Sequence, residues 1–500
     1  MEKEKQKQET AFERVCECLK TVVFLVFLYG NGVILQLYFK DGYFDILEAK
    51  ASFFFILMKL LLPFLLFLLS YKIIKKQFCL SPIKLLLILF LLGGGISTVF
   101  SVAPEYAFTG EQGWHVGFFT MFSLIVFFLV YEGDKIVRKP FLYLPLLLLF
   151  CFETILVFLE VMDIDVLSMK AQLDLPTSYS FFGTIGNSNW AVGFFSLFVP
   201  FIVSQYLFSE SKVLSSVCFV LGLSGIIASI LMGADGIFLS IIASVIAIAP
   251  CITEKWAYIR RFLFLLCCFL LIALFFSLSP KFTLFFDIFD GAGDLFFEHP
   301  YFLKLLFIGL SILYLVSYAL SEKEYQKKRK AFAKIGVLLF AVATAVFLGF
   351  VFNYKGDQID NYRFELWKLS LHRFSSFDPY HKLFGLGPEL VRNLYGSLYE
   401  KYGIVFTVAH NEALQLLLTM GIIGLSFWTG LWVLLLVSYV KARIYKNPVF
   451  AGAYASLFAY LAQAMVNSAT IPNLCLLILL LVHISDFAFS TVKSYDLDRK

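Results

Sequence analysis

The amino-acid sequence predicts an all-α fold: a polytopic integral membrane helix bundle of about 14 transmembrane helices, both termini cytoplasmic, with a large extracytoplasmic helical loop near the C-terminus. Composition is the first observation behind this. Of the 500 residues, 60% are hydrophobic and only 15% charged, and the mean hydropathy is +0.82. A water-soluble globule could not hide so much apolar surface. The second is a succession of apolar runs, each near the roughly 20 residues that a bilayer core requires. The third is the placing of Lys and Arg, which gather in every second loop.

The predicted spans are 20–39, 51–71, 83–101, 115–131, 140–161, 189–208, 214–231, 236–250, 259–279, 303–320, 332–352, 412–440, 449–467 and 471–490. Only Met232-Gly233-Ala234-Asp235-Gly236 parts the seventh from the eighth. With these boundaries, one side collects the N-terminal Lys3, Lys5, Lys7, Arg14 and Lys20 together with Lys72, Lys75, Lys76 and Lys84. Lys135, Arg138, Lys139, Lys212, Lys255, Arg260, Arg261, the run from Lys323 to Lys334, Lys441, Arg443, Lys446 and the C-terminal basic residues join them. The opposite short loops hold little more than Lys40, Lys50, Lys170 and Lys281. By the positive-inside rule the basic side is cytoplasmic. The first hydrophobic segment follows a charged stretch without a small-residue cleavage site, so it is expected to be a retained span.

Three regions follow: a membrane bundle over 1–352 with about eleven spans, an extracytoplasmic loop over 353–410, and about three C-terminal spans over 411–500. The net charge of +5 belongs to the cytoplasmic loops and does not indicate nucleic-acid binding. None of the nine cysteines lies in the long polar stretch, and no disulfide or metal-ligand spacing is present. Neither a metal nor a cofactor is called for.

His115, His299, His372, His381 and His410 all fall on or near the outer face, where interfacial loops also tolerate histidine. Glu153 and Glu160, seven apart, share one face of the fifth span. Such carboxylates are either functional or satisfied by the interface or a neighbour.

The polar loop carries the chemistry. Gln358 to Ser376 has helical periodicity, with Ile359, Tyr362, Leu366 and Leu369 on one stripe, and predicts an amphipathic helix on the outer surface. Arg363 and Trp367, four apart, are neighbours on it. They serve as a fork for phosphate oxygens or as an interfacial anchor pair. Gly385 and Gly387 mark a turn without the βαβ context of a dinucleotide fingerprint.

Asn411 reads as the N-cap of a helix running to Val440. At 1.5 Å per residue that helix would exceed a core of about 30 Å. Either Gly421 and Gly424 bend it, or its first turns stand above the lipid. His410 then sits beside a helix N-terminus, which disfavours the imidazolium. A neutral imidazole can take a proton from a hydroxyl, and free N–H groups beside it can hold an anion; a residue in this place can also simply cap or pack.

The order Arg363-Phe-Glu-Leu-Trp367, Phe384-Gly-Leu-Gly387, then His410-Asn-Glu-Ala-Leu before an apolar helix with Gly421-Ile-Ile-Gly424, resembles the signature region of the O-antigen ligase and O-antigen polymerase superfamily. Gly183-Thr-Ile-Gly-Asn187-Ser-Asn189 resembles its Gly-Thr-x-x-Asn-Pro-Asn segment, with Ser188 in place of proline. The resemblance implies a metal-independent, inverting glycosyltransferase of the bacterial plasma membrane. Its donor would be a glycan on undecaprenyl diphosphate, and its acceptor a glycan, a lipid or a wall polymer. His410 would activate the acceptor and Arg363 would hold the diphosphate, with Asn411, Trp367, Gly385, Gly387, Asn187 and Asn189 among the substrate-binding residues.

Three arginines usual in the family are absent. Ala234-Asp235-Gly236 stands in place of Ser-Arg-Gly, Tyr179-Ser-Phe-Phe182 precedes the Gly-Thr segment, and Gly113-Trp114-His115 lies at the outer end of the fourth span. Either His115, Lys355, Arg373, Lys382 or Arg392 substitutes, or the lipid donor differs, or catalysis is reduced. The alternative function is a polysaccharide or lipid-linked oligosaccharide exporter or flippase, which would place its site at the midplane among broken helices and repeats. A non-enzymatic assembly scaffold is a third.

Overall fold

Residues 11–173, 179–278, 300–332, 334, 336, 338, 345, 362–403, 405–441, 443 and 447–497 are described by the computed structural model. Among them the only strands are two of two residues each, and everything else regular is helix. Among the described residues, eight helices are long and apolar enough to cross a membrane: Ala11–Leu37, Ile46–Ile74, Pro82–Val99, Pro140–Val161, Ser188–Phe208, Lys212–Leu231, Trp256–Ser277 and Glu412–Lys441. Five more predicted spans fall on shorter apolar helices, Phe118–Tyr131, Gly236–Ile252, Leu303–Val316, Val449–Ala464 and Ile471–Ser485. Most of the predicted span 332–352 lies outside the described residues, as do His299, Lys355 and the loop from 353 to 361.

Helix Ser188–Phe208 is the centre of the bundle, packed against Lys212–Leu231 on one side and Pro448–Ala464 on the other. Pro448–Ala464 owes its central place to small side chains: Ala451, Ala453, Ala455, Ala459 and Ala464 are all buried. Gly452 lies so near that a Cβ there would stand 1.8 Å from Ser204 Oγ. Between membrane helices, which gain no hydrophobic driving force from lipid, such close backbone approach supplies the attraction.

Loops predicted to share a side meet one another. Lys20 pairs with Asp134 at 2.9 Å and Lys72 with the same carboxylate at 3.8 Å. Arg329 pairs with Glu254 at 2.6 Å. At the other end Trp114 Nε1 donates to Thr407 Oγ1 at 3.0 Å, and Asn411 Nδ2 donates to the Met465 carbonyl at 2.8 Å.

Glu153 and Glu160 face inward from helix Leu144–Val161 and grip a small hairpin made of Phe181–Phe182 and Gly186–Asn187. Glu153 Oε2 accepts from the Thr184 amide at 2.9 Å and its other oxygen from the Thr184 hydroxyl. Glu160 Oε2 accepts from the Gly183 amide at 2.7 Å, and Tyr43 donates to Glu160 Oε1 at 2.8 Å. The carboxylates therefore satisfy turn amides that would otherwise be buried without partners. This hairpin leads directly into the central helix.

Candidate functional site

The helix Glu412–Lys441 begins as the sequence predicts. Asn411 Oδ1 accepts from the Leu414 amide at 3.0 Å, a side-chain N-cap. Gln415 reaches back, its Oε1 accepting from the Ala409 amide at 2.9 Å. His410, between these two anchors, has a left-handed backbone with φ of +47°. A non-glycine residue holds that conformation only where its surroundings enforce it. They do so here: Ala409 and Asn411 are both tied down, and the Ala409 carbonyl accepts from Trp367 Nε1 at 3.1 Å.

Trp367 comes from helix Arg363–Ser375, preceded by Tyr362 with a left-handed φ of +64°; the predicted start of the helix, 358–361, lies outside the described residues. Its apolar stripe does not simply face lipid, since Leu366 is fully buried in a satellite core with Val391, Tyr395, Leu398, Phe406 and Leu418. With Trp367 pinned to Ala409, Arg363 stands one turn away on the same face. Burial, and then the Arg363 charge, hold the His410 imidazole down to a pKa of about 4. The ring is therefore neutral at physiological pH. The sequence traced this neutrality to the helix terminus, whereas desolvation and the neighbouring guanidinium are its main causes.

Gly421 is the bend, with φ of +65° and ψ of −166° inside the helix. An uninterrupted helix would pair the Leu418 and Thr419 carbonyls four residues onward. Instead the loop Phe384-Gly385-Leu386-Gly387 caps them, Leu386 N donating to Leu418 O and Gly387 N to Thr419 O, both at 3.0 Å. Ser97 Oγ also donates to Thr419 O, at 2.8 Å. A Cβ at Gly385 would lie 2.2 Å from the Thr419 backbone, and one at Gly387 would lie 2.3 Å from Ser101 Oγ. The structure thus places both glycines in a backbone brace that holds the bend below His410.

The other predicted site residues are spread around this centre. Asn187 caps the central helix by accepting from the Asn189 amide at 3.0 Å. Trp190, in the first turn of that helix, meets Trp114 edge to face at 5.9 Å. His115 turns away, its Nε2 at 2.8 Å from Glu48 Oε2. Arg373 is ten residues from Arg363 along one helix, about 15 Å, and belongs to its far end. Arg392 pairs with Glu111 at 3.5 Å, and Lys382 is half-buried in helix Pro379–Phe384.

Sequence reasoning missed Trp114, Thr407, Gln415 and Tyr460. Tyr460 donates to the buried Glu412 Oε1 at 2.8 Å. All but Gln415 act across more than 40 residues of chain, which no local pattern encodes. Among the described residues no group of three or more His, Cys, Asp or Glu side chains could hold a metal ion.

No curated protein matches the chain. Residues 302–429 match the family model described as O-antigen ligase, a stretch that contains Arg363, Trp367, Gly385, Gly387, His410 and Asn411. Over residues 302–429, about a quarter of the chain, these motifs and the match that spans them support the O-antigen ligase and O-antigen polymerase superfamily.

Proposed function

We propose that the protein is a metal-independent, inverting glycosyltransferase that transfers or polymerises glycans carried on undecaprenyl diphosphate at the outer face of a bacterial plasma membrane. The family match over residues 302–429 supports polysaccharide-related glycosyl transfer in general. The observation that carries the finer reading is the neutral, half-buried His410 held beside Arg363 by the Trp367 to Ala409 hydrogen bond. The one-sided Lys and Arg pattern supports an outward-facing 353–410 loop between a scaffold over 1–352 and the spans over 411–500.

In this mechanism an acceptor hydroxyl gives its proton to the His410 imidazole while its oxygen attacks the anomeric carbon from the face opposite the diphosphate. The bond from that carbon to the diphosphate oxygen breaks, so the configuration inverts. Arg363 stabilises the negative charge that develops on the departing lipid diphosphate, and the His410 proton passes to solvent. The acceptor is a glycan, a lipid or a wall polymer.

Full-length protein reconstituted with lipid-linked glycan tests this. His410→Ala and Arg363→Ala, in protein that inserts normally, are expected to abolish product; unchanged product from both would overturn the assignment.

A further inference from the structure

The segment 465–470 joins helices Pro448–Ala464 and Ile471–Leu497, and the proposed chemistry makes no use of it. It lies against the candidate site, since Asn411, next to His410, donates to the Met465 carbonyl at 2.8 Å. Four oxygens here are buried without a hydrogen-bond partner: Asn467 Oδ1, Ser468 Oγ, Thr470 Oγ1 and Asn473 Oδ1. Asn467, Thr470 and Asn473 are each no more than 2% exposed.

These groups are not scattered. A Cβ on Gly193 would meet Asn473 Nδ2 at 2.2 Å and Gln463 Nε2 at 3.5 Å, and one on Gly236 would meet Asn467 Nδ2 at 2.8 Å and Gln463 Cβ at 3.6 Å. Gln463 therefore sits between the two asparagines, and two glycines leave room for them. The asparagine donors are already engaged, Asn467 Nδ2 with Gln463 Oε1 and Asn473 Nδ2 with the Trp190 carbonyl, both at 2.9 Å. What remains are four oxygens that can accept, and the Ser468 and Thr470 hydroxyls can also donate.

Native proteins leave few buried polar groups unpaired, so four within seven residues mark a place shaped to receive donors. None of the four is charged. A phosphate, with acceptors only, could use the two hydroxyl protons but leaves both asparagine oxygens unpaired, whereas sugar hydroxyls donate as well as accept and so match all four. Asn473 is tied to the backbone of Trp190, whose half-buried ring meets that of Trp114 edge to face, and such rings are apolar surfaces against which the C–H face of a sugar ring can pack.

We propose that Asn467, Ser468, Thr470 and Asn473 form a subsite that accepts hydrogen bonds from the hydroxyls of a neutral sugar unit beside His410, with Trp114 and Trp190 on its rim. The proposal rests on the glycosyl-transfer function above and adds that the protein binds the glycan apart from its lipid carrier.

The test measures binding to the full chain in lipid nanodiscs, with two probes: lipid-linked glycan extracted from cells lacking the protein, and bare undecaprenyl diphosphate. Thr470→Val removes one acceptor with little change of shape, and Ser468→Ala removes another at a half-buried position. Each is expected to weaken binding of the glycan-bearing lipid about five- to tenfold and to leave bare undecaprenyl diphosphate unaffected. If neither variant changes the affinity for the glycan-bearing lipid, the oxygens serve only bound water, and the subsite is overturned. Binding needs no turnover, so the two proposals fail separately. Wild-type protein that makes product yet binds both lipids equally sinks the subsite alone; a glycan preference that Thr470→Val removes, without any product, sinks only the transfer reaction.

Discussion

Trp367 and Ala409, 42 residues apart, are joined by a hydrogen bond of 3.1 Å from the indole Nε1 to the carbonyl oxygen. It ties the helix that carries Arg363 to the backbone that carries His410, so this contact helps to set the spacing of imidazole and guanidinium.

Trp367→Phe keeps the aromatic packing and removes only that donor. A net loss of about 1 kcal/mol in stability is expected, with a much larger loss in turnover, roughly tenfold to a hundredfold, because a reacting group displaced by 1 Å can lose that much rate. Steady-state kinetics should show the loss in kcat with KM nearly unchanged. A variant with full kcat would show that the contact does not position His410.

The pH profile of turnover reports His410. Burial and Arg363 lower its pKa from the ordinary 6.5 to about 4, so the acid limb of kcat/KM should fall near pH 4 instead of 6.5. In the residual activity of Arg363→Gln the limb should move upward without reaching 6.5, because burial, the larger cause, remains. The stability linked to neutral His410 has the matching sign: it is present above 6.5 and is lost as the pH falls through 4. An acid limb at 6.5 in the wild type would show that the ring is solvated.

Gly385→Ala should destabilise the protein by about 2 kcal/mol or more, since its φ is +76° and its Cβ would strike the Thr419 backbone. Gly396→Ala is the control, with φ of −54° and open space around its Cβ. Thermal melting of both variants in one detergent separates them, and equal melting temperatures would show that the brace is dispensable.

Glu389 is buried in the loop after the brace, where it accepts from the Glu111 amide at 2.8 Å. Burial pushes its pKa up from 4.5 to about 8, with nearby Glu111 adding to the rise. A group raised in this way contributes stability that is fully present below 4.5 and is lost as the pH rises through 8. Glu389→Gln keeps an acceptor for Glu111 and cannot ionise, so its melting temperature should fall less than that of the wild type between pH 6 and pH 9. Parallel curves would show that Glu389 is ionised at neutral pH.

The spans were legible because apolar runs are a local signal, and Asn411 was legible because a cap acts within one turn. Glu153 and Glu160 could be placed on one face from their spacing of seven, but their partner, the hairpin at Gly183 and Thr184, comes from another part of the chain. The sequence left open whether Gly421 and Gly424 bend the long helix or its first turns stand above the lipid; the left-handed φ at Gly421, braced by the distant loop 384–387, decides it. Trp114, whose contact lies at Thr407, left no local trace at all. Residues joined across long stretches of chain are specified by packing, which periodicity does not record.

The bend at Gly421 divides one long apolar segment into limbs of different duty. Below it, Ile422 to Lys441 spans about 30 Å, the thickness of a hydrocarbon core. Above it, Glu412 to Met420 is held by protein: by the 384–387 loop, by Ser97 and by Tyr460. A thicker or thinner bilayer is therefore accommodated by the lower limb, through tilt, while the height of His410 is gauged from the loop that braces it. The proposed base is insulated from the membrane around it.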